Sequence, residues 1–238
     1  MLRACYIIKG ALCNDNYQGG KKMKVKWLGH ACFLITSDSG LRIITDPYIQ
    51  GSGLNYSPID ESADIVTVSH DHFDHNNVSA VKGNPEVVKG GGTKTVKGAQ
   101  FKGVATYHDE AKGSQRGNNV VLCFSIDGIS VCHLGDLGHR LSKEEIAQIG
   151  IVDILLVPVG GFFTIDAKVA SQICEDLKPK VIIPMHFKTP KCDDFPISPV
   201  DDFLAGKPNV KRLNSSEANF KASELPKTTE IVVLQPAK

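Results

Sequence analysis

Apolar positions divide the chain into short runs, most of them rich in β-branched residues and too short for helices. VKWLG at 25–29, ACFLIT at 31–36 and LRIIT at 41–45 are strand-like, separated by Gly29-His30 and by the turn signal Asp38-Ser39-Gly40. They predict an opening meander. Asp46-Pro47 closes the third run, and a loop over 47–62 rich in Pro, Gly, Ser and Asn leads to IVTV at 65–68, which predicts a strand buried on both faces. A short helix is expected over 76–81. Three strand candidates punctuated by glycine follow (EVVKG, TKTVKG and AQFKGVATYH), and then NVVLCFSID and GISVCHLGD, joined through Asp127-Gly128 as a two-residue hairpin.

In the second half, Ser142-Lys143-Glu144-Glu145 has the form of a capping box and opens a helix to Ile149. DILLVPV reads as a buried strand ending in an apolar, mobile loop, Gly160-Gly161-Phe162-Phe163. Asp166 caps a helix over 167–177 with Val169, Ile173 and Leu177 on one face, and Pro179 stops it. VIIPMH is a further strand, PVDDFLA at 199–205 a short helix, and TEIVVLQ from Thr229 a last strand. Strand runs followed by strands alternating with helices predict an α/β sandwich whose sheets are covered by helices.

At 238 residues, with no low-complexity linker or charge block, the chain is expected to hold one domain over 23–238. Lys and Arg total 27 against 26 acids, a formal charge of +1, which gives no global case for nucleic acid or an anionic membrane. No apolar run approaches the ~20 residues that span a bilayer. Seven scattered cysteines, odd in number and mostly inside apolar runs, suit reduced core thiols and a cytoplasmic protein. Residues 1–22 differ from the rest. The apolar run in MLRACYIIKG is broken by Lys9 and no small-residue cleavage site follows, so a signal sequence is disfavoured. Residues 18–23 back-translate to a purine-rich ribosome-binding sequence before a start codon. Met23 is therefore the expected natural start, and 1–22 a peripheral extension or a start-site artefact.

The chemistry concentrates directly after the 65–68 run, where His70, His72, Asp74 and His75 fall within six positions. Three imidazoles and a carboxylate so crowded repel one another when protonated, unless a cation keeps the imidazoles neutral. This predicts a metal site. Later strands also end in candidate ligands: His108, then Asp136 just past a glycine, then His186. His133 lies three residues before Asp136, on the opposite strand face, and reads as a buried or supporting residue. His30 and Asp46 close strands too, either as turn residues or as groups that support the metal ligands from behind. Arg116, in the polar loop after His108, either binds an anionic substrate group or pairs with Asp109 or Glu110. Lys188 either holds such a group or is a solvated surface residue. Gly90-Gly91-Gly92 lacks the Gly-Lys-Ser/Thr ending of a phosphate loop and reads as a turn.

From Met23 to about Gln235 the chain resembles metallo-β-lactamase-fold hydrolases, in the branch of L-ascorbate-6-phosphate lactonase-like proteins and uncharacterised metal-dependent hydrolases. The resemblance is carried by WLGHACF with His30, SHDHFDH at 69–75, TYHD with His108, HLGD with Asp136 and PMHF with His186. It implies a four-layered αββα sandwich with the site at one edge. It further implies that His70, His72 and His108 bind one metal and Asp74, His75 and His186 a second, with Asp136 bridging. The implied cofactors are two divalent ions, zinc first and manganese or iron as alternatives. Such ions lower the pKa of a bound water from 15.7 toward ~7, and Asp74 is the expected catalytic residue that orients the hydroxide on an ester, lactone or phosphoester. The implied partner is a small-molecule substrate, anionic if Arg116 and Lys188 face it; no membrane is involved and nucleic acid is disfavoured. Two other readings stay open at this point: a phosphodiesterase or nuclease acting on nucleic acid or a nucleotide, and a non-enzymatic metal-binding protein. The chain lacks the flavodoxin-like domain of flavo-diiron relatives, and Asp74-His75 departs from their pattern, which argues against redox chemistry.

Overall fold

The computed structural model describes residues 20–238, so the expectation for residues 1–22 lies almost wholly outside the described range. The first half supplies β1 (Lys22–Gly29), β2 (Cys32–Thr36), β3 (Arg42–Thr45), β4 (Ile65–Val68), β5 (Glu86–Lys89), β6 (Gly92–Val96), β7 (Ala99–Tyr107), β8 (Asn118–Ile126) and β9 (Ile129–His133). The second half adds α1 (Lys143–Ile149), β10 (Ile154–Pro158), α2 (Ala167–Leu177), β11 (Val181–Met185), α3 (Val200–Leu204), β12 (Val210–Arg212), β13 (Glu217–Lys221) and β14 (Glu230–Val233). They build two mixed sheets. One has the order β13-β1-β2-β3-β4-β5 and the other β12-β14-β11-β10-β9-β8-β7-β6.

The period-2 geometry of a strand explains how the six-stranded sheet is buried twice over. Phe33 and Ile35 of β2, Ile43 of β3 and Ile65 of β4 face the other sheet, in one core with Phe101, Val104, Leu122 and Phe124. Their neighbours Cys32, Leu34, Ile44 and Val66 face outward, in a second core with Tyr48, Leu54 and Tyr56. This is the metallo-β-lactamase fold expected from the sequence, with one difference in its cover. α1 packs on β7, α2 on β10 and α3 on α2, so all three α-helices attend the eight-stranded sheet. The outer face of the other sheet is covered by irregular chain: the 47–63 loop, the segment around a single 3-10 turn at Val78–Ala80 where a short helix was expected, and the stretch with Cys192, Phe195 and Ile197. Aromatic side chains seal that face in place of a helix.

β12 and β13 had no counterpart among the strand candidates. Both lie at sheet edges and are largely polar: β13 pairs only with β1, and β12 only with β14. The parallel part of each sheet matters for function. β3 and β4 run parallel in one sheet and β9, β10 and β11 in the other, and ligand-bearing loops gather at the carboxyl ends of such strands. No helix among the described residues is long and apolar enough to cross a membrane.

Candidate metal centre

Seven side chains named from the sequence meet at that edge. His70 and His72 leave β4, His108 leaves β7, Asp136 follows β9 and His186 follows β11. Donor atoms of His70, His72 and His108 lie within 4.8 Å of one another, as do those of His30, Asp74, His75 and His186. Asp136 joins the two groups. Its Oδ2 is 3.2 Å from Nε2 of His75, 3.2 Å from Nε2 of His108 and 3.4 Å from Nε2 of His186.

The backbone at these positions is held in conformations that side chains seldom accept. His30 (φ 54°), Asp46 (φ 40°) and His186 (φ 50°) are all left-handed, at a cost of about 1–2 kcal/mol each for a residue with a Cβ. Hydrogen bonds brace this edge: between the sheets the His186 N–H donates to the His30 carbonyl (3.2 Å) and the Val120 N–H to the Ser69 carbonyl (3.0 Å), and within one sheet the Trp27 indole N–H donates to the His30 carbonyl (3.0 Å). Gly135 shows why a glycine precedes Asp136. At φ 58°, an added Cβ would lie 2.3 Å from Asn119 Oδ1 and 2.6 Å from Ser69 Cβ, so the turn sits flush on its neighbours.

A layer of buried polar groups supports this cluster. Asp46 accepts the Ser69 N–H (2.8 Å) and hydroxyl, and its Oδ2 lies 2.9 Å from His75 Nδ1, so it orients that ring. His133 donates from Nε2 to the Ala31 carbonyl (2.8 Å) and accepts the Gly135 N–H at Nδ1 (3.0 Å). It is a buried support, as its strand position implied. His30 lies 3.2 Å from Asp74 through Nε2. Sequence reasoning missed Ser69 and Asn119. Asn119, fully buried, accepts the Asp136 N–H (3.0 Å) and donates to Thr106 and the Leu134 carbonyl; its only sequence signal was its place just before the apolar run that begins at Val120.

Charge in the site follows from burial and crowding. Burial, aided by neighbouring His186, pushes His30 down to about 4, and burial with His75 alongside pushes His70 down to about 3. Burial works against a proton on His75 as well, but the carboxylates of Asp136 and Asp74 outweigh it and hold that imidazole well above its ordinary value. Burial would raise Asp136, yet His186 and His75 keep its carboxyl well below the usual range. His75 Nε2 and Asp136 Oδ1 are nonetheless buried without hydrogen-bond partners. Orphaned nitrogen and oxygen donors around a carboxylate-rich spot that already favours a proton are what a divalent cation satisfies. The residues fit a metal.

Beside the cluster lies a cleft of about 490 Å³, walled by Ser52, Phe73, Arg116, Phe163 and Phe195 over His72, Asp74, His108 and Asp136. Ser52 belongs to the 47–62 loop and Phe163 to the Gly160–Phe163 segment. Arg116 is therefore at the site. Asp109 does not pair with its guanidinium: the carboxylate accepts the backbone N–H groups of Ala111, Gly113, Gln115 and Arg116. Lys188 is not in the cleft. It lines another cavity with Trp27, Thr189, Val200 and Arg212, because its N–H bonds to the Ser198 carbonyl and ties the segment to α3 instead.

Comparison with known proteins gives a consistent picture. The family described as "Beta-lactamase superfamily domain" matches residues 24–186. A UPF0173 metal-dependent hydrolase from Carboxydothermus hydrogenoformans is 32% identical over 194 residues, covering 70% of this chain and 85% of that protein. A crystal structure from Thermotoga maritima, described as a proposed Zn-dependent hydrolase of the metallo-beta-lactamase superfamily, is 42% identical with a TM-score of 0.74, covering 89% of this chain and 98% of that one. A Parabacteroides distasonis structure at 20% identity and TM-score 0.61 covers 92% of this chain and 96% of that one, and speaks to the fold alone.

Proposed function

Because this chain belongs to the beta-lactamase superfamily domain family and is a metal-dependent hydrolase of that superfamily, we propose that it works with two divalent ions, hydrolysing an ester, lactone or phosphoester. One observation carries this reading: Asp136 Oδ2 stands within 3.4 Å of histidines from both ligand groups, the place of a bridging carboxylate. His70, His72 and His108 would hold one ion, and Asp74, His75 and His186 the other. Zinc suits this nitrogen and oxygen donor set, and the Thermotoga maritima relative is described as zinc-dependent. When bound, such ions acidify a water toward neutral pH and polarise the oxygen of the scissile bond.

The chain's own groups supply the rest. Asp74 would accept a hydrogen bond from the attacking water or hydroxide and set its direction while serving as a ligand. His30, neutral at pH 7 with its value near 4, donates from Nε2 to Asp74 and fixes that carboxylate. Asp46 holds His75 by its far nitrogen. Phe73, Phe163 and Phe195 give the cleft an apolar wall, which strengthens charge interactions beside it. The free thiols of Cys32, Cys123, Cys132, Cys174 and Cys192 agree with a cytoplasmic location.

The test is a screen of lactones, thioesters, phosphomonoesters and phosphodiesters, with metal measured on the same sample. Two ions per chain and turnover on at least one class are expected. Asp74→Ala is expected to lower kcat by about 100-fold or more, whereas Lys188→Ala leaves it within about twofold. One ion per chain, or equal losses from the two changes with metal retained, would overturn the assignment.

A further inference from the structure

Arg116 has no carboxylate partner among the described residues, although it stands within a strongly charged site. Its nearest acid in sequence, Asp109, is committed to four backbone N–H groups. Those bonds also fix where the arginine starts. The Arg116 N–H donates to Asp109 (2.7 Å), and the His108 N–H donates to the Gly117 carbonyl (3.0 Å), so ligand and arginine stand at the two ends of one closed loop. The guanidinium carbon lies 6.0 Å from the Phe162 ring centroid and 5.7 Å from that of Phe163, so two aromatic rings flank a half-buried fork.

Charge balance points the same way and rests on the two-ion reading above. Two divalent ions bring four positive charges, Asp74, Asp136 and Asp46 remove three and the hydroxide the fourth, so the charge of Arg116 is left over and an uncharged substrate leaves it unmet. We infer that Arg116 is an anion-recognition residue, and that the substrate is a small hydrolysable compound carrying a carboxylate or phosphate group a short distance from the bond that is cut. The cleft's apolar wall of Phe73, Phe163 and Phe195 fits the carbon segment between the two.

Hydroxamates test this because they chelate the metal pair without being cut. Calorimetric titration of the zinc-loaded full chain would compare acetohydroxamate and its longer alkyl homologues with the monohydroxamates of succinate, glutarate and adipate, and with a phosphonate-tailed hydroxamate. At least one anionic tail should bind about tenfold tighter than its alkyl match, the size of one charge-assisted contact. Arg116→Gln should erase that preference and leave alkyl hydroxamate affinity within about twofold; Arg116→Lys should keep part of it, with the point charge retained and the fork lost. The carboxylate and phosphonate arms decide which oxyanion is preferred. Alkyl hydroxamates that bind with no gain from either tail, or a gain that survives Arg116→Gln in a protein of unchanged melting temperature, would overturn the anion site alone. If no hydroxamate binds and zinc content falls short of two, the two-ion reading fails and takes this inference with it.

Discussion

Asp46 illustrates how a residue remote from the substrate controls the site. Its carboxylate fixes Ser69 and His75, and burial that would raise its pKa is outweighed by His133 and His75, so it stays ionised. Asp46→Ala frees the His75 ring and should weaken metal binding by about 10- to 100-fold, read by competition with a chromogenic chelator. Unchanged affinity would mean that Asp46 only closes a turn. The histidines also set a pH dependence for the metal-free protein. His30 (about 4), His70 (about 3), His72 and His133 are all lowered, chiefly by burial, so the folded state binds fewer protons than the unfolded chain below the ordinary value near 6.5. Stability is therefore lost as pH falls below about 6.5, with the buried His30 and His70 each contributing about 1.4 kcal/mol per pH unit down to about 4 and about 3 respectively. His75 works the other way, being raised: its contribution is full below about 6.5 and is lost as pH rises through its folded value. Four groups against one give a net loss toward acid. Urea unfolding of the metal-free chain at pH 7, 6 and 5 checks this, and stability that is flat or rising toward pH 5 would refute it.

Among the elements, α1 forms as its sequence predicts. The Ser142 hydroxyl accepts the Glu145 N–H (3.2 Å) and the Glu145 carboxylate accepts the Ser142 N–H (2.7 Å). Ser142→Ala should cost about 1 kcal/mol in chemical denaturation and leave metal content intact, since no ligand belongs to this helix. A loss of metal would show that α1 is coupled to the site. The polar loop after β7 is another matter. Nothing in DEAKGSQRG announces that one aspartate will gather four N–H groups, because that requires the loop to close on itself. Edge strands β12 and β13 escaped notice for a related reason: short and largely polar, they turn only Val210, and Ala218 with Phe220, to the core, too little alternation to read.

Over the whole molecule, the ligand set is shared between two sheets that touch at this edge through backbone bonds and metal donors. A bound ion therefore links the sheets, and any ligand of the folded state alone stabilises it. Removing metal with a chelator should lower the melting temperature by about 5 to 10 °C, the shift expected when metal is present at about 100 times its Kd in a chain of this size. Calorimetry with and without chelator reads this directly. An unchanged melting temperature would place the donors in a scaffold already complete without metal.

The residues themselves determined a good deal. Runs of β-branched apolar residues have one low-energy backbone, and a strand's end is fixed by where that run stops, so His70, His72, Asp74 and His75 were legible as a cluster and His108, Asp136 and His186 as strand-terminal polar groups. Convergence was decided by the sheets. Bringing His108 to His70, or His186 to His30, depends on parallel strand order and on face-to-face packing, which local spacing does not encode. The same holds for the roles of Arg116 and Lys188. Each follows a candidate ligand in the chain, and the tertiary path alone puts one guanidinium in the cleft and ties the other segment to α3. The cover of the six-stranded sheet is likewise a tertiary outcome, since Tyr48, Leu54 and Tyr56 lie in a loop without periodicity and become core only when the sheet beneath offers its outward-facing apolar residues.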